Sequence, residues 1–96
     1  MATDYRLIHN KYRKQYEFHI DGFVPKIEYM INQEGDVYLT HTEVPYELEG
    51  RGIGKQLVEK VLIDIEDNNR RVVPLCPFVA EYIRKNPEWK RLVALT

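Results

Sequence analysis

The first half of the chain alternates apolar and polar residues with a period of two, the pattern of β-strands that bury one face. Asp21-Gly22 and the polar cluster at residues 32–36 are turn-forming sequences that separate such segments. The pattern therefore predicts a meander of antiparallel strands joined by short turns. The four predicted strands span residues 5–9, 15–20, 26–31 and 37–44.

The second half of the chain changes to the period of the α-helix. Apolar residues form one stripe over residues 53–65, which predicts an amphipathic helix that ends near Asn68. A short buried strand at residues 71–75 and a second helix at residues 78–85 follow, and residues 91–95 are predicted to form a final short strand. This order of elements predicts an α+β fold in which two main helices pack on a mostly antiparallel sheet.

The size and composition of the chain fit one small globular domain. Its 96 residues are typical of a single domain, here predicted to span residues 1–96, and the 44% apolar fraction excludes intrinsic disorder. A formal net charge of -1 lacks the basic footprint of a nucleic-acid-binding domain. Basic clusters at residues 11–14 and 70–71 are the features that favour nucleic acid, and on balance we expect no such partner.

Cys76 is the single cysteine of the chain, so no internal disulfide and no cysteine-based zinc site can form. The first ten residues lack the apolar run of a signal peptide. The longest apolar-rich stretch, at residues 72–80, is interrupted by two prolines and is too short to span a membrane. We therefore expect a cytoplasmic protein with no membrane partner.

The most informative segment is Glu-Gly-Arg-Gly-Ile-Gly-Lys at residues 49–55, between a predicted strand and the long helix. Glycines at alternate positions remove the Cβ atoms that would hold a ligand away from the backbone, and the free amides of the helix start can bind phosphate. The spacing matches neither the P-loop nor the dinucleotide-binding fingerprint. A glycine-rich turn that only caps the helix is the alternative interpretation.

Residues 49–54 match the motif of Gln or Arg, two residues, Gly, one residue, and Gly or Ala, except that Glu49 stands at the first place. In this motif the chain resembles the GNAT superfamily of acetyl-CoA-dependent N-acetyltransferases. Residues 41–45, 73–79 and 84–89 are similar to the small YjdJ-type branch of that superfamily. The resemblance covers nearly the whole chain and implies a GNAT-like sheet whose central strands splay apart.

The resemblance also implies acetyl-CoA as cosubstrate, with its pantetheine arm inserted between the fourth strand and the strand after the long helix. The backbone of Val44 would pair with the pantetheine, whereas Glu49 would be repelled by the pyrophosphate and should point away. Arg51 and Lys55 would add positive charge near the phosphates. The residues implied to hold the cofactor are Val44, Gly50, Arg51, Gly52, Ile53, Gly54 and Lys55.

An amine acceptor needs a base, because neutralising a lysine amine at pH 7 costs about 4 to 5 kcal/mol. Alternation places His41 and Glu43 on one face of the fourth strand, close to the expected splay, and makes them candidate catalytic residues. The alternative is a surface glutamate beside a histidine that hydrogen-bonds to its neighbours. The tyrosine that serves as general acid in many members of the family is displaced here, since Arg84 stands at its place and Tyr82 lies two residues earlier.

Cys76 is a third catalytic candidate, because it lies between a predicted strand and the start of the second helix. Helix-terminal amides favour the thiolate, which can attack a thioester and carry the acetyl group. A cysteine recurs at this place in the YjdJ-type branch that the chain resembles. Inert packing in the core is the alternative.

Two functions follow from these observations. The first is an acetyl-CoA-dependent N-acetyltransferase that modifies a primary amine, on a protein lysine or a small molecule, by direct transfer or through Cys76. The alternative is an acyl-CoA-binding module without efficient turnover, which the departures at Glu49 and Arg84 favour. We expect a monomer or a weak dimer, in which the strand edge at residues 5–9 can pair.

Overall fold

A five-stranded sheet forms the centre of the fold in the computed structural model, which describes residues 3–94. The first four strands pair antiparallel in chain order, and the fifth lies parallel to the fourth. The meander and the mostly antiparallel sheet predicted from the sequence are therefore confirmed. The strands are β1 (Ile8–Asn10), β2 (Gln15–Glu17), β3 (Lys26–Ile31), β4 (Val37–Glu43) and β5 (Val72–Pro74).

Two main helices complete the predicted α+β architecture. Helix α1 (Ile53–Asp67) connects β4 to β5, and helix α2 (Pro77–Lys85) follows β5. The crossover through α1 is required because two parallel strands cannot be joined by a tight turn. No helix in residues 3–94 is long and apolar enough to cross a membrane.

The core lies between the sheet and the apolar faces of the helices. Phe18, Ile27 and Leu39 contribute fully buried side chains from the sheet side. The buried positions of α1 are those of the predicted apolar stripe, so the helical periodicity was sufficient to identify its core face. They are Ile53, Leu57, Val58, Val61, Leu62 and Ile65.

The first strand begins at Ile8 rather than at residue 5. The main-chain amide of Tyr5 donates to Oε1 of Gln56 at 2.7 Å, and Nζ of Lys60 donates to the carbonyl oxygen of Tyr5. These bonds tie the segment to α1, so Tyr5 cannot pair along the sheet edge. The predicted edge for dimer pairing is correspondingly shortened to β1.

The predicted strand at residues 91–95 is wrong for the part of it that the structure describes. Residues Pro87–Leu92 form a 3₁₀-helix, and Val93 makes a single parallel bridge to Val72. Pro87 has the backbone angle of a first helical turn, and Trp89 and Leu92, three residues apart, bury their side chains on one side of the turn. Leu95 lies outside the described residues.

A β-bulge in β4 decides which side chains face the helices. Glu28 pairs with His41 and Tyr29 pairs with Leu39, which leaves Thr40 as an extra residue whose hydroxyl donates to the carbonyl oxygen of Glu28 at 3.2 Å. Before the bulge, the odd-numbered residues Val37 and Leu39 are buried. After the bulge, Thr42 is more buried than its neighbours His41 and Glu43. Alternation is therefore interrupted in the middle of the strand.

Substitution of Leu57 by alanine tests the assigned core face of α1. Because Leu57 is fully buried, we expect Leu57→Ala to lower the free energy of unfolding by about 3 kcal/mol. Ile63 on the same helix is 41% exposed, so Ile63→Ala is a matched control with an expected loss under about 1 kcal/mol. Urea denaturation measures both variants, and equal losses would contradict the assignment.

Candidate functional site

A wedge opens between β4 and β5 because their pairing is short. The two strands pair over three residues, and the last main-chain bond between them runs from the amide of Cys76 to the carbonyl oxygen of Leu39 at 2.9 Å. Beyond Leu39, β4 continues to Glu43, whereas the segment that follows β5 turns away into α2. We refer to the space between residues 40–44, which include the end of β4, and the start of α2 as the wedge.

The bulge at Thr40 turns new main-chain groups of β4 toward the wedge. The amide of Tyr29 donates to the carbonyl oxygen of Lys14, so Tyr29 faces β2 and its neighbour Glu28 faces β4. His41, which pairs with Glu28, then faces β3, and the next residue, Thr42, presents its amide and carbonyl to the wedge. Val44 directly follows the last residue of β4.

The loop before α1 forms an open cradle of main-chain amides. Gly50 and Gly52 have φ angles of 83° and 70°, and a Cβ atom at either position would meet nothing within 4 Å. Both glycines are therefore required by the left-handed backbone and not by crowding. Gly52 caps α1 without a side-chain hydrogen bond, which leaves the amides of the first helical turn available to an anion.

Gly54 has a different role from the two preceding glycines. A Cβ atom on Gly54 would lie 2.8 Å from Cζ and 3.1 Å from Cε2 of Phe78. The missing side chain allows the Phe78 ring of α2 to lie against α1. The prediction that alternate glycines all open the backbone to a ligand therefore fits Gly50 and Gly52, whereas Gly54 serves the packing of two helices.

A groove of about 620 Å³ extends from this cradle between α1 and α2. Phe78 and Tyr82, one helical turn apart, form its apolar wall on α2. Three cationic side chains and two carboxylates line the groove, and Arg51 also pairs with Asp21 at 3.3 Å, so these charges nearly cancel and the amide cradle is the feature that favours an anion. The charged residues are Arg51, Lys55, Lys85, Glu59 and Glu81.

Cys76 lies at the closed end of the wedge with 5% of its surface exposed. Its Sγ atom is 3.2 Å from Oγ1 of Thr42, the side chain that the bulge turns toward it. Burial opposes ionisation, but the Thr42 hydroxyl and the main-chain amides of Val79, Phe78 and Thr42 outweigh it and lower the pKa of the Cys76 thiol. The wedge thus holds one thiol that ionises more readily than an ordinary cysteine.

His41 and Glu43 lie on the opposite face of β4 from the Cys76 thiol. Their side chains are 54% and 58% exposed, and Nε2 of His41 is 3.6 Å from Oε1 of Glu43. The bulge explains this placement, because it moves Thr42 and not its two neighbours to the helix side. The structure therefore brings the two predicted residues to each other but not to Cys76.

Sequence analysis missed a buried carboxylate on the same face as Glu43. Glu17 is 5% exposed, accepts a hydrogen bond from Nε2 of Gln15 at 2.5 Å, and has Oε1 2.7 Å from Nε2 of His19. Burial alone would raise the pKa of Glu17, yet the hydrogen bonds from Gln15, His19 and Asn10 lower it. Glu17, His19 and Glu43 line one cavity of about 400 Å³.

The sequence signal for this buried polar cluster was the set of polar residues that alternate with apolar residues in and after β2. Gln15, Glu17 and His19 occupy alternate positions of the strand predicted at residues 15–20, on the face opposite its apolar residues. A period of two separates the faces of a strand but does not tell whether the polar face is covered. Here Gln15 and Glu17 are both buried.

The fold and this geometry agree with comparisons to known proteins. A family model described as GCN5-related N-acetyl-transferase matches residues 15–92. The chain belongs to this family. Its predicted GNAT superfamily membership is confirmed, and the family supports an acetyltransferase, whereas the YjdJ-type branch stays a prediction.

Two curated relatives of this GCN5-related family member carry the name Protein NATD1. The Mus musculus protein is 29% identical over 84 residues, which cover 85% of this chain and 76% of the relative. The Xenopus tropicalis protein is 26% identical over 88 residues, which cover 90% of this chain and 81% of the relative.

Two solved structures share the fold of this GCN5-related chain. A solution structure of a GCN5-like protein from Staphylococcus aureus superposes with a TM-score of 0.73 at 20% identity, covering 99% of this chain and 93% of the other. The ribosomal-protein-alanine N-acetyltransferase of Brucella melitensis superposes with a TM-score of 0.52 at 20% identity, covering 85% and 62%. At these identities the comparison establishes the fold alone.

The lowered pKa of Cys76 predicts a thiolate that forms at a lower pH than in free cysteine, whose pKa is about 8.5. Because the chain has one cysteine, the ultraviolet absorbance of the thiolate measures its titration directly. Thr42→Val removes the hydroxyl that stabilises the thiolate and should raise the midpoint, while Thr40→Val should not. A titration midpoint equal to that of free cysteine, unchanged by Thr42→Val, would contradict this role of Thr42.

The pKa of Glu17 predicts a pH-dependent part of the stability. Since the folded-state pKa is lowered, the contribution is present above the unfolded pKa of about 4.3 and is lost as the pH falls through the folded value. Glu17→Gln should cost about 2 kcal/mol at pH 7 and less at pH 3. The exposed Glu43→Gln variant is the control, and chemical denaturation at both pH values measures the difference. A cost of Glu17→Gln that does not change with pH would refute this role.

Proposed function

We propose that the protein is an acetyl-CoA-dependent N-acetyltransferase that modifies a primary amine. The observation that carries the proposal is the wedge, which joins a helix N-terminus without a side-chain cap to main-chain groups of β4 that β5 does not pair. A long ligand with phosphates at one part and an amide-containing arm at another fits this shape. The family supports acetyl transfer, and the geometry favours acetyl-CoA as the donor.

The residues present fit acetyl-CoA part by part. The first-turn amides of α1, at Ile53, Gly54 and Lys55, would bind the pyrophosphate, with Arg51 and Lys55 adding positive charge. Thr42 and Val44 would hydrogen-bond the pantetheine arm through their main chain. Bound acetyl-CoA supplies an activated acetyl group as a thioester.

The acceptor amine approaches from the face of β4 that carries Glu43. Glu43 and Glu17 border one cavity together with Arg13 and Lys26, and the exposed Glu43 carboxylate is the group there that can contact the ammonium form of a primary amine. Glu43, with His41 beside it, then serves as the base that takes the proton from the amine. The neutral amine attacks the carbonyl carbon of the thioester, the C–S bond breaks, and the CoA thiolate that leaves takes the remaining proton of the acylated nitrogen.

Direct transfer is the route that the environment of Cys76 favours. The thiol is 5% exposed and lies against Thr42, which leaves little room for an acetyl group on its sulfur. Cys76 then acts by shaping the closed end of the wedge. In the alternative route, its sulfur would form a bond to the acetyl carbon as the bond to the CoA sulfur breaks.

A thermal-shift titration with acetyl-CoA tests the binding site. Ligand at about 100 times its dissociation constant adds roughly 2.7 kcal/mol and should raise Tm by about 10 °C or more in a domain of this size. Free CoA should act similarly and ATP weakly. Gly52→Glu should abolish the shift and Gly52→Lys should retain more of it, because both strain the backbone but only glutamate repels phosphate. Equal losses in the two variants would contradict an anion cradle.

An acetyl-transfer assay with a panel of primary amines tests the catalytic assignment. We expect Glu43→Gln to lower kcat about 100-fold, the range of a general base, whereas Glu47→Gln leaves it unchanged. Cys76→Ser should retain transfer if the route is direct, and complete loss would identify the thiol as the acetyl carrier. Binding of acetyl-CoA without transfer to any amine would instead favour the acyl-CoA-binding module.

A further inference from the structure

A second cavity, of about 470 Å³, lies at the opposite end of α1 from the amide cradle. The helix residues that line it are Asp64, Ile65 and Asn68, whereas the cradle begins at Gly52. At 1.5 Å per residue, the 15 residues of α1 separate the two places by about 20 Å. The chemistry proposed for the wedge makes no use of this cavity.

Two basic segments that are far apart in the sequence meet at this cavity. Lys11 and Lys14, from the turn between β1 and β2, line it together with Arg70, from the turn after α1. None of the three forms an ion pair with another residue in the part of the chain that the structure describes. Part of each sequence cluster that favoured nucleic acid thus lines one small concave site, whereas Arg13 and Arg71 line other cavities.

The backbone at both turns holds these cations in place. Lys14 has a φ angle of 53°, in the left-handed region that lysine seldom occupies, and its amide donates to the carbonyl oxygen of Lys11. Arg70 donates from Nη1 to the carbonyl oxygen of Gly35 at 3.1 Å. A Cβ atom on Gly35 would lie 2.9 Å from the same Nη1, so this glycine admits the guanidinium.

A hydrogen-bonded group of aromatic and acidic side chains forms the floor of the cavity. Oη of Tyr16 donates to Oδ2 of Asp64 at 3.0 Å, and Nε2 of His9 is 2.7 Å from Oη of Tyr29. The ring of His9 stacks on Tyr16 with centroids 4.2 Å apart. Ile31, 45% exposed, adds an apolar wall at the rim. The cavity therefore combines a polar floor, one apolar side and a cationic mouth.

We propose that this cavity is a second ligand site, which binds a small organic phosphate monoester. Three cations face one carboxylate, so about two positive charges remain uncompensated, and a dianionic phosphate matches them better than a monocarboxylate. The phosphate lies between Lys11, Lys14 and Arg70, and the organic part lies against Ile31 and the tyrosine rings. A small molecule fits the enclosed volume, whereas the nearly neutral chain offers no extended basic track for a nucleic acid.

Titration calorimetry and amide NMR of the full chain with phenyl phosphate test this proposal. We expect binding that weakens with salt and shifts the resonances of His9, Tyr29 and Asn68. Benzoate, with one charge, should bind at least tenfold more weakly. The double variant Lys11→Gln/Lys14→Gln should lose at least tenfold in affinity, and Lys90→Gln, an exposed lysine elsewhere, should lose none.

Saturating acetyl-CoA separates this site from the proposed cofactor site. Binding of phenyl phosphate should persist when acetyl-CoA is present, and should persist in Gly52→Glu even if that variant no longer binds acetyl-CoA. Competition with acetyl-CoA, or resonance changes confined to the start of α1, would overturn the proposal. So would an affinity that is unchanged in the double variant, or a single-stranded oligonucleotide that binds through the same lysines more tightly than phenyl phosphate.

Discussion

The early end of the β4–β5 ladder is the constraint on which the candidate site depends. Pro74 has no amide to donate, and Pro77 starts α2, so the main chain between them leaves the sheet after one last bond from the Cys76 amide to Leu39. On the side away from β3, the main-chain groups of β4 beyond this point have no strand to pair with in residues 3–94. Backbone donors and acceptors without a strand partner need other hydrogen-bond partners, and a ligand that carries amides of its own can supply such partners.

The bulge at Thr40 gives the wedge its two chemically different sides. Without the extra residue, His41 and Glu43 would follow Val37 and Leu39 toward the helices, and their charges would enter the core. With it, Thr42 faces Cys76, while Glu43 joins Glu17 on the other face of the sheet. A single inserted residue thus separates the proposed donor side from the proposed acceptor side.

The sequence was sufficient to predict a helix or a strand wherever the period of its apolar residues is characteristic of that element. The helical stripe predicted the core face of α1, and the alternate segments predicted the meander, because burial repeats with the period of each structure. The bulge at Thr40 was not predicted, because a strict period of two carries the face of Val37 and Leu39 on to His41 and Glu43 and does not show where an extra residue is inserted. The fit of Gly54 to Phe78 and the burial of Glu17 depend on contacts between elements, which a local pattern does not encode.

Amide NMR during titration with acetyl-CoA tests the central claim most directly, because it reports which main-chain groups contact the ligand. The account predicts that the largest shifts occur at two separate places, the first turn of α1 at Ile53 and Lys55 and the unpaired end of β4 at Thr42 and Val44. Shifts at the helix start alone would mean that the wedge does not receive the pantetheine arm. No shifts at either place would contradict the account.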